Sequence, residues 1–474
     1  MQVTPAVWSV AQHVGRMMLA TLFYFAIAGF LTPADVGVLG IATVWIVFLG
    51  VFLELGFGAA IIQRQQIERR HLTTVFFVNV AVGVLLSLLG ALASWPTSSF
   101  MRVPEAQPVM FALSMGFVIS ALGTVPGALA TRQLRFRALA VRDWGGILAG
   151  GAVGVILAWD GWGVWSFVAQ SLITNLVGTT LLWNVSSYRP RFTEWSPSAL
   201  RELWPYSGPL FGVSLFKYLV QNADSLIIGY FFGPFRLGLY ALANKVLIQP
   251  IAAVESGVGT FLFTRVARLQ DEPARVAALY VASYKSLNYL LLPLVIVAGV
   301  WGGTLVSALL GTEWQEVGPI FWYLAVMGLM HPPITPVGQL MKGLGKTHWF
   351  LRWSILFSVA TNGALLVGSQ FGFAQALAGL AIAYVVMLPL ALVILNRLIQ
   401  GVLPQVLRAA VRSYFVGLSF AVVLLSSRAW IGNHVSVALA STAVGALLYM
   451  KLVQHSDPEF TTLLRRQLIG LPTP

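Results

Sequence analysis

Apolar residues run along this chain in blocks of about twenty, the length an α-helix needs to cross a hydrocarbon core about 30 Å thick. The blocks fall near residues 8–30, 37–60, 73–93, 108–130, 143–160, 163–185 and 207–232. They continue near 238–262, 279–301, 317–341, 349–370, 374–396, 410–429 and 434–453. The pattern predicts an all-α polytopic membrane protein with about fourteen spanning helices and almost no water-exposed domain. The first block reads as a retained helix, because no charged n-region precedes it and no small-x-small cleavage site follows a short apolar core. The fifth block is rich in glycine and the tenth is interrupted by Pro332, Pro333 and Pro336, so these two depart most from a plain span.

Composition agrees with a lipid solvent. Of the 474 residues, 58% are hydrophobic and 9% are charged, against about 25% charged in soluble domains. The formal charge of +13 would suit nucleic acid if it were spread over one surface, but it follows the loops. With the amino terminus in the cytoplasm and sides alternating, 22 of the 29 Lys and Arg residues fall in cytoplasmic segments. Among them are Arg64, Arg69, Arg70, Arg132, Arg135, Arg137, Arg142, Arg265, Lys342 and Arg408. The opposite side holds only Arg102, Arg236 and Arg428. This is the positive-inside pattern; it places both termini in the cytoplasm and accounts for the net charge without nucleic acid. The absence of cysteine excludes disulfides and thiol catalysis. Six scattered histidines without an HExxH spacing give no expectation of a metal or other cofactor.

An internal repeat lies under the helix count. At an offset of 201 residues, Phe30, Pro33, Gly37, Ala42, Glu54, Gly56, Gly58 and Arg64 match Phe231, Pro234, Gly238, Ala243, Glu255, Gly257, Gly259 and Arg265, and Arg16 falls opposite Lys217. Six helices fit within the offset. An even number gives both copies the same topology, as in parallel repeats related by an axis along the membrane normal, with a substrate path at their interface. The organisation expected is an N-lobe over 1–206, a C-lobe over 207–400, and two further helices with a cytoplasmic tail over 401–474.

At these residues the chain resembles a known family. LTPADVGVLGIATVWIVFLGVFLELGFGAAIIQR, from Leu31 to Arg64, is similar to the first hairpin of Wzx-type polysaccharide flippases of the multidrug/oligosaccharidyl-lipid/polysaccharide (MOP) exporter superfamily. NADSLIIGYFFGPFRLGLYALANKVLIQP, from Asn222 to Pro250, resembles the colanic-acid-exporter branch, and GQLMKGLGKT, from Gly338 to Thr347, is a looser match. The resemblance implies two six-helix lobes around a central cavity with alternating access. It also implies a cargo of oligosaccharide on a polyprenyl diphosphate, moved from the cytoplasmic to the periplasmic leaflet of a bacterial inner membrane. Polysaccharide polymerase and glycosyltransferases are the partners such a role suggests, beside the membrane lipids themselves.

The charges left inside the spans are the candidate chemistry. A charge near the bilayer centre costs about 2.5–3.5 kcal/mol on insertion scales, so each needs a cavity, a partner or an escape to the headgroups. Arg16 shares a helical face with Gln12 and His13, and Lys217 shares one with Gln221 and Asp224, beside Asn222. Facing each other across a cleft, these repeat-related stripes would form a cationic surface for a diphosphate. Lys245 is a further candidate for that surface, while Lys285 is expected to snorkel to the cytoplasmic headgroups. Arg16 and Lys245 could snorkel as well. Asp224, Glu255 and Glu54 have two readings: a structural ion pair or hydrogen bond, or coupling to H⁺ or Na⁺ by a buried carboxylate.

Other functions are less well provided for. A membrane glycosyltransferase or polymerase would need carboxylates or histidines gathered on a roomy loop, whereas the five external carboxylates lie on four short turns. A drug or cation antiporter of the same superfamily should show an acidic cavity. A flippase for the peptidoglycan lipid precursor shares the expected charge pattern.

Overall fold

The computed structural model describes residues 5–458; the side chains of Glu54 and Lys217, and the tail with Arg465 and Arg466, lie outside the described residues. The helices follow the apolar blocks in order. They are α1 (Pro5–Ala28), α2 (Pro33–Glu54), α3 (Phe57–Gln63), α4 (Arg69–Met101), α5 (Ala106–Ser114), α6 (Gly116–Arg132), α7 (Phe136–Trp159) and α8 (Trp165–Val185). After these come α9 (Pro197–Ala243), α10 (Gln249–Val266), α11 (Pro273–Leu310), α12 (Val317–Gly343), α13 (Thr347–Ser369), α14 (Phe373–Leu398), α15 (Leu403–Ile431) and α16 (Val435–Ser456). Among the described residues eleven helical stretches are long and apolar enough to span a bilayer, and one of them, Leu210–Val266, covers two of the expected blocks. With α1 and α8, each of the fourteen blocks is helical over most of its length.

Two compact units divide the chain, Met1–Gly238 and Leu239–Pro474. In the first, α7 is the central strut. Its small-residue face lets α8 come within backbone distance: a Cβ on Gly146 would stand 2.6 Å from the carbonyl oxygen of Thr174, and one on Gly150 would strike that of Gln170. On the other side of α7, Gly151 and Gly154 lie against Phe23 and Ile27 of α1. Packing, and no hinge, is what these glycines provide.

The repeat-related turns meet within this unit. Thr32 caps α2, accepting from the Asp35 amide while the Asp35 carboxylate accepts from Thr32, with Pro33 at the first helical position. A Cβ on Gly37 would collide with the carbonyl of Pro234, and one on Gly238 would collide with the carbonyl of Pro33. The matched prolines and glycines therefore exchange places across one close crossing, as a local two-fold requires. The turn that the alignment places at Pro234 is made by Gly233, whose φ of 74° breaks α9. The Glu-x-Gly-x-Gly motifs differ in outcome. In the first copy Leu55 and Gly56 are left-handed and the chain breaks between α2 and α3; in the second, Glu255, Gly257 and Gly259 stay in continuous helix.

In the second unit a core runs through α10, α11, α12, α14 and α15 around Leu262, Tyr280, Tyr284, Leu340, Met341 and Leu395. A second core joins α11 to α15 and α16 around Trp301, Phe420 and Tyr449. Helix α12 carries Pro332, Pro333 and Pro336 in its interior, so the carbonyls of Gly328, Leu329 and Pro332 have no amide donor four residues on. The Tyr414 hydroxyl replaces one of them, donating to the Leu329 oxygen at 2.7 Å, a side-chain substitute of the kind that lets proline persist in a membrane helix.

Candidate functional site

The first unit contains an open cavity of about 630 Å³. Gln12 of α1, Thr124 and Gly127 of α6, Arg142 of α7, Asn175 and Thr179 of α8 and Ser214 of α9 are in its wall. Arg142 is its charged centre. The residue sits six positions into α7, about 9 Å along the helix, and a Cβ on Gly178 of α8 would stand 3.5 Å from the Cγ of its side chain. Asp143 holds the arrangement together: its Oδ2 accepts from Gln12 Nε2 at 2.8 Å, and its Oδ1 lies 3.6 Å from Arg142 Nε. The outer edge of the guanidinium stays open toward the cavity, with the side chain 39% exposed. A guanidinium backed by neutral hydroxyls and amides suits an anionic or heavily hydroxylated group more than a lipophilic cation.

The expected stripe is only partly assembled. Gln12 lines the cavity, whereas His13 and Arg16 are exposed. Lys217 and Glu54 have side chains outside the described residues. Gln221 is exposed, Asn222 donates to the carbonyl of Tyr218 at 3.0 Å, and Asp224 accepts from the Ser225 amide at 2.7 Å. Lys245 is half-buried in a π-helical turn, Asn244–Ile248, directly before α10. Glu255 is buried, and both its oxygens lie 3.1 Å from His331 Nδ1 of α12.

Three side chains depart from their sequence reading. Arg142 belongs to the cavity and not to a cytoplasmic loop; the start of α7 at Phe136, seven residues before the apolar block, carries it inward. Lys285 has a partner the sequence reading did not supply: its Nζ is 2.6 Å from Oδ2 of the buried Asp457, tying α11 to the end of α16. His331, which the sequence analysis does not single out, is Glu255's partner. The usable signal was a histidine in the middle of an apolar block.

At the arginine-rich end of the first unit the connector after α8 is clipped down. Glu202 accepts from Arg64 at 2.5 Å and from the fully buried His71 at 3.1 Å, and Arg70 approaches it to 3.3 Å. Because the Glu68 amide donates to His71 Nδ1, it is Nε2 that carries the proton toward Glu202. These bonds, from His71 first and Arg64 second, hold the Glu202 carboxyl below the usual carboxylate range. Glu194 adds contacts to Arg69 and Thr73. Arg132 meanwhile donates to the carbonyls of Ile61, Arg64 and Gln65 at the end of α3, the place where a helix terminus attracts a cation.

Bundled apolar helices, a repeat built on proline–glycine turns and a cavity among the helices with a guanidinium in its wall fit a multi-pass membrane protein of the transporter kind. Solved structures agree on the fold. A lipid II flippase MurJ in an inward closed conformation superposes with a TM-score of 0.71 at 10% identity, over 97% of this chain and 99% of that one. An inward-facing multidrug resistance MATE family transporter of the MOP superfamily superposes with a TM-score of 0.60 at 14% identity, over 88% and 99%. Residues 26–319 match the family described as "Polysaccharide biosynthesis protein", and the chain belongs to that family. It is 26% identical to the succinoglycan biosynthesis transport protein ExoT of Rhizobium meliloti, over 97% of this chain and 94% of that protein. The lipopolysaccharide biosynthesis protein WzxC of Escherichia coli is 22% identical, over 78% and 75%.

Proposed function

We propose that this protein is a flippase that carries a polyprenyl-diphosphate-linked oligosaccharide from the cytoplasmic to the periplasmic leaflet of a bacterial inner membrane, for export as surface polysaccharide. It works by alternating access and not as an enzyme. The observation that carries the reading is the cavity with Arg142 at its centre, in a chain of this family: a cationic, hydroxyl-lined space among membrane helices fits sugar hydroxyls and phosphate oxygens. Arg142 is the residue we assign to the anionic part of the cargo, with Gln12, Asn175 and Thr179 as hydrogen-bonding partners for the glycan. Arg16, Lys217 and Lys245 remain proposed contributors along the path. Both termini lie in the cytoplasm in this orientation, so the Glu202 clip faces the side from which the cargo is loaded.

Mass spectrometry of the polyprenyl-linked lipid pool, in a strain lacking this protein and in its parent, tests the reading. Accumulation of a diphosphate-linked oligosaccharide, with loss of the matching surface polymer, is the expected result. An unchanged lipid pool with altered sensitivity to cationic drugs would replace the flippase by an antiporter. Accumulation of the peptidoglycan precursor would replace the cargo.

A further inference from the structure

A second cavity, of about 530 Å³, lies within the second unit and shares no wall residue with the Arg142 cavity. It forms where α11 ends, α12 begins and α15 ends. Thr304 and Ser307 come from the end of α11, Gln315 from the turn that follows and Trp322 from the start of α12. Arg428 comes from the last turn of α15 and Asn433 from the turn after it. Gly303 and Gly318 are also in the wall, and a Cβ on Gly303 would stand 2.8 Å from the Cα of Gly318. Backbone closes that part of the wall, and the space before it is left open. In the orientation proposed above this end is periplasmic, and Arg428 is one of the three cations found there against the positive-inside trend.

Arg428 is held by neutral groups. Its Nη1 donates to the Val300 carbonyl, and its guanidinium carbon lies 5.8 Å from the ring centroid of the fully buried Trp301. Among the described residues no carboxylate forms an ion pair with it; Glu313 and Glu316, on the neighbouring turn, are outside the cavity wall. A fixed guanidinium with donors to spare is a seat for an anionic oxygen pair. The groups around it are neutral donors and acceptors. The Thr304 hydroxyl donates to Asn433 Oδ1, which leaves the amide nitrogen as a donor, and Ser307 donates to the Gly303 carbonyl, which leaves its oxygen as an acceptor. Gln315 adds an exposed amide, and Trp322, 49% exposed, adds a flat apolar face.

We propose that this cavity is a second saccharide site, which binds an acidic sugar residue of the glycan at the end where the cargo is delivered. A sugar ring has apolar C–H faces and a rim of hydroxyls, and an indole face bordered by amides and hydroxyls matches both. Arg428 selects a ring that bears a carboxylate, through the paired contacts a guanidinium makes. A phospholipid headgroup would use the cation alone and leave the amides and hydroxyls unengaged. The volume is within the range of about 300–1,000 Å³ common to small-molecule sites. Arg428 and Asn433 lie beyond the two six-helix copies expected from the repeat, so the site gives α15 a task that the repeat does not supply. That the sugar belongs to the transported glycan rests on the flippase reading; the affinity for an acidic saccharide does not.

Binding is measured on the full chain in lipid nanodiscs, with Arg142→Gln present throughout to suppress saccharide binding in the first unit. The probes are a hyaluronan tetrasaccharide, which alternates glucuronic acid with N-acetylglucosamine, and neutral chitotetraose. The acidic probe should bind more tightly than the neutral one, with a Kd below about 10 mM. Adding Arg428→Gln should weaken the acidic probe about tenfold and leave the neutral one nearly unchanged. Trp322→Ala should weaken both. Asn433→Asp keeps the acceptor for Thr304 and sets an anion in the same wall as the guanidinium, so it too should weaken the acidic probe about tenfold. Its exposed position makes it the deciding variant if Arg428→Gln fails to fold. No binding of the acidic probe up to about 10 mM, or equal affinity with and without Asn433→Asp, overturns the proposal. Loss of co-purifying phosphatidylglycerol from Arg428→Gln with saccharide affinity unchanged also overturns it, and gives the cavity to a lipid headgroup. A strain lacking the protein whose lipid-linked glycans are all unchanged would remove the proposed cargo, and the saccharide affinities would still decide the site.

Discussion

At the residue scale, Arg142 and Glu202 carry the chemistry and each has a separate test. Arg142→Gln keeps hydrogen bonding but removes the charge, and should lower surface glycan at least tenfold with unchanged membrane abundance. Arg142→Lys should recover only part of the loss, because an ammonium lacks the planar fork that a phosphate engages. Glu202 has a pH signature. Its carboxyl is held below its ordinary range, so its contribution to the folded connector is fully present above that range and is lost as pH falls through the depressed value. Protease cleavage within residues 186–202 should therefore rise on acidification below about pH 4, and Glu202→Gln should give the raised cleavage already at pH 7. High salt should weaken the half-exposed Arg64 and Arg70 contacts in the same direction.

What the residues concealed in the sequence follows from the same physics. Arginine count by loop is a reliable guide to sidedness, but it treats each arginine near a helix start as exposed. Helix α7 begins earlier than its apolar block, so Arg142 is drawn inward, where Asp143, itself held by Gln12, lies beside it. Glu255 is legible as a buried carboxylate; His331 is less so, because histidine carries a charge only when protonated. Lys285 found a carboxylate, Asp457, that lies far along the chain and just past the last apolar block.

At the element scale, the fourteen apolar blocks became helix in order, and the proline–glycine turns of the repeat became one crossing. Close approach there is absolute, since Gly37 and Gly238 face backbone and not a movable side chain. Gly37→Ala or Gly238→Ala should destabilise the first unit by about 1–3 kcal/mol or more, read as a lower thermal midpoint in detergent. Gly161→Ala, which meets nothing within 4 Å but has φ of 85°, should cost less, about 1 kcal/mol. Helix α12 offers the complementary test. Tyr414→Phe leaves the Leu329 carbonyl without the donor that replaces the proline, a loss of about 1–3 kcal/mol. The sequence pattern announced the prolines but not this tyrosine, because the two lie 81 positions apart (414 minus 333) and no local spacing links them. The break at Leu55–Gly56 was equally hidden: its second copy has the same glycines and stays helical, so tertiary packing against Ser207 decides it.

At the scale of the whole molecule, the central claim is that a family of polysaccharide-biosynthesis membrane proteins is represented here by a chain whose cavity takes a diphosphate-linked glycan. In this account the first unit holds the cargo's anionic and hydroxylated parts. The direct measurement is leaflet transfer by the purified chain. Proteoliposomes containing a polyprenyl-diphosphate disaccharide in both leaflets would be treated with a membrane-impermeant glycosidase. Wild-type protein should make the inner-leaflet half of the substrate accessible within minutes, and Arg142→Gln should leave it protected. Protection in the presence of correctly folded wild-type protein, with or without an imposed proton gradient, would contradict the account.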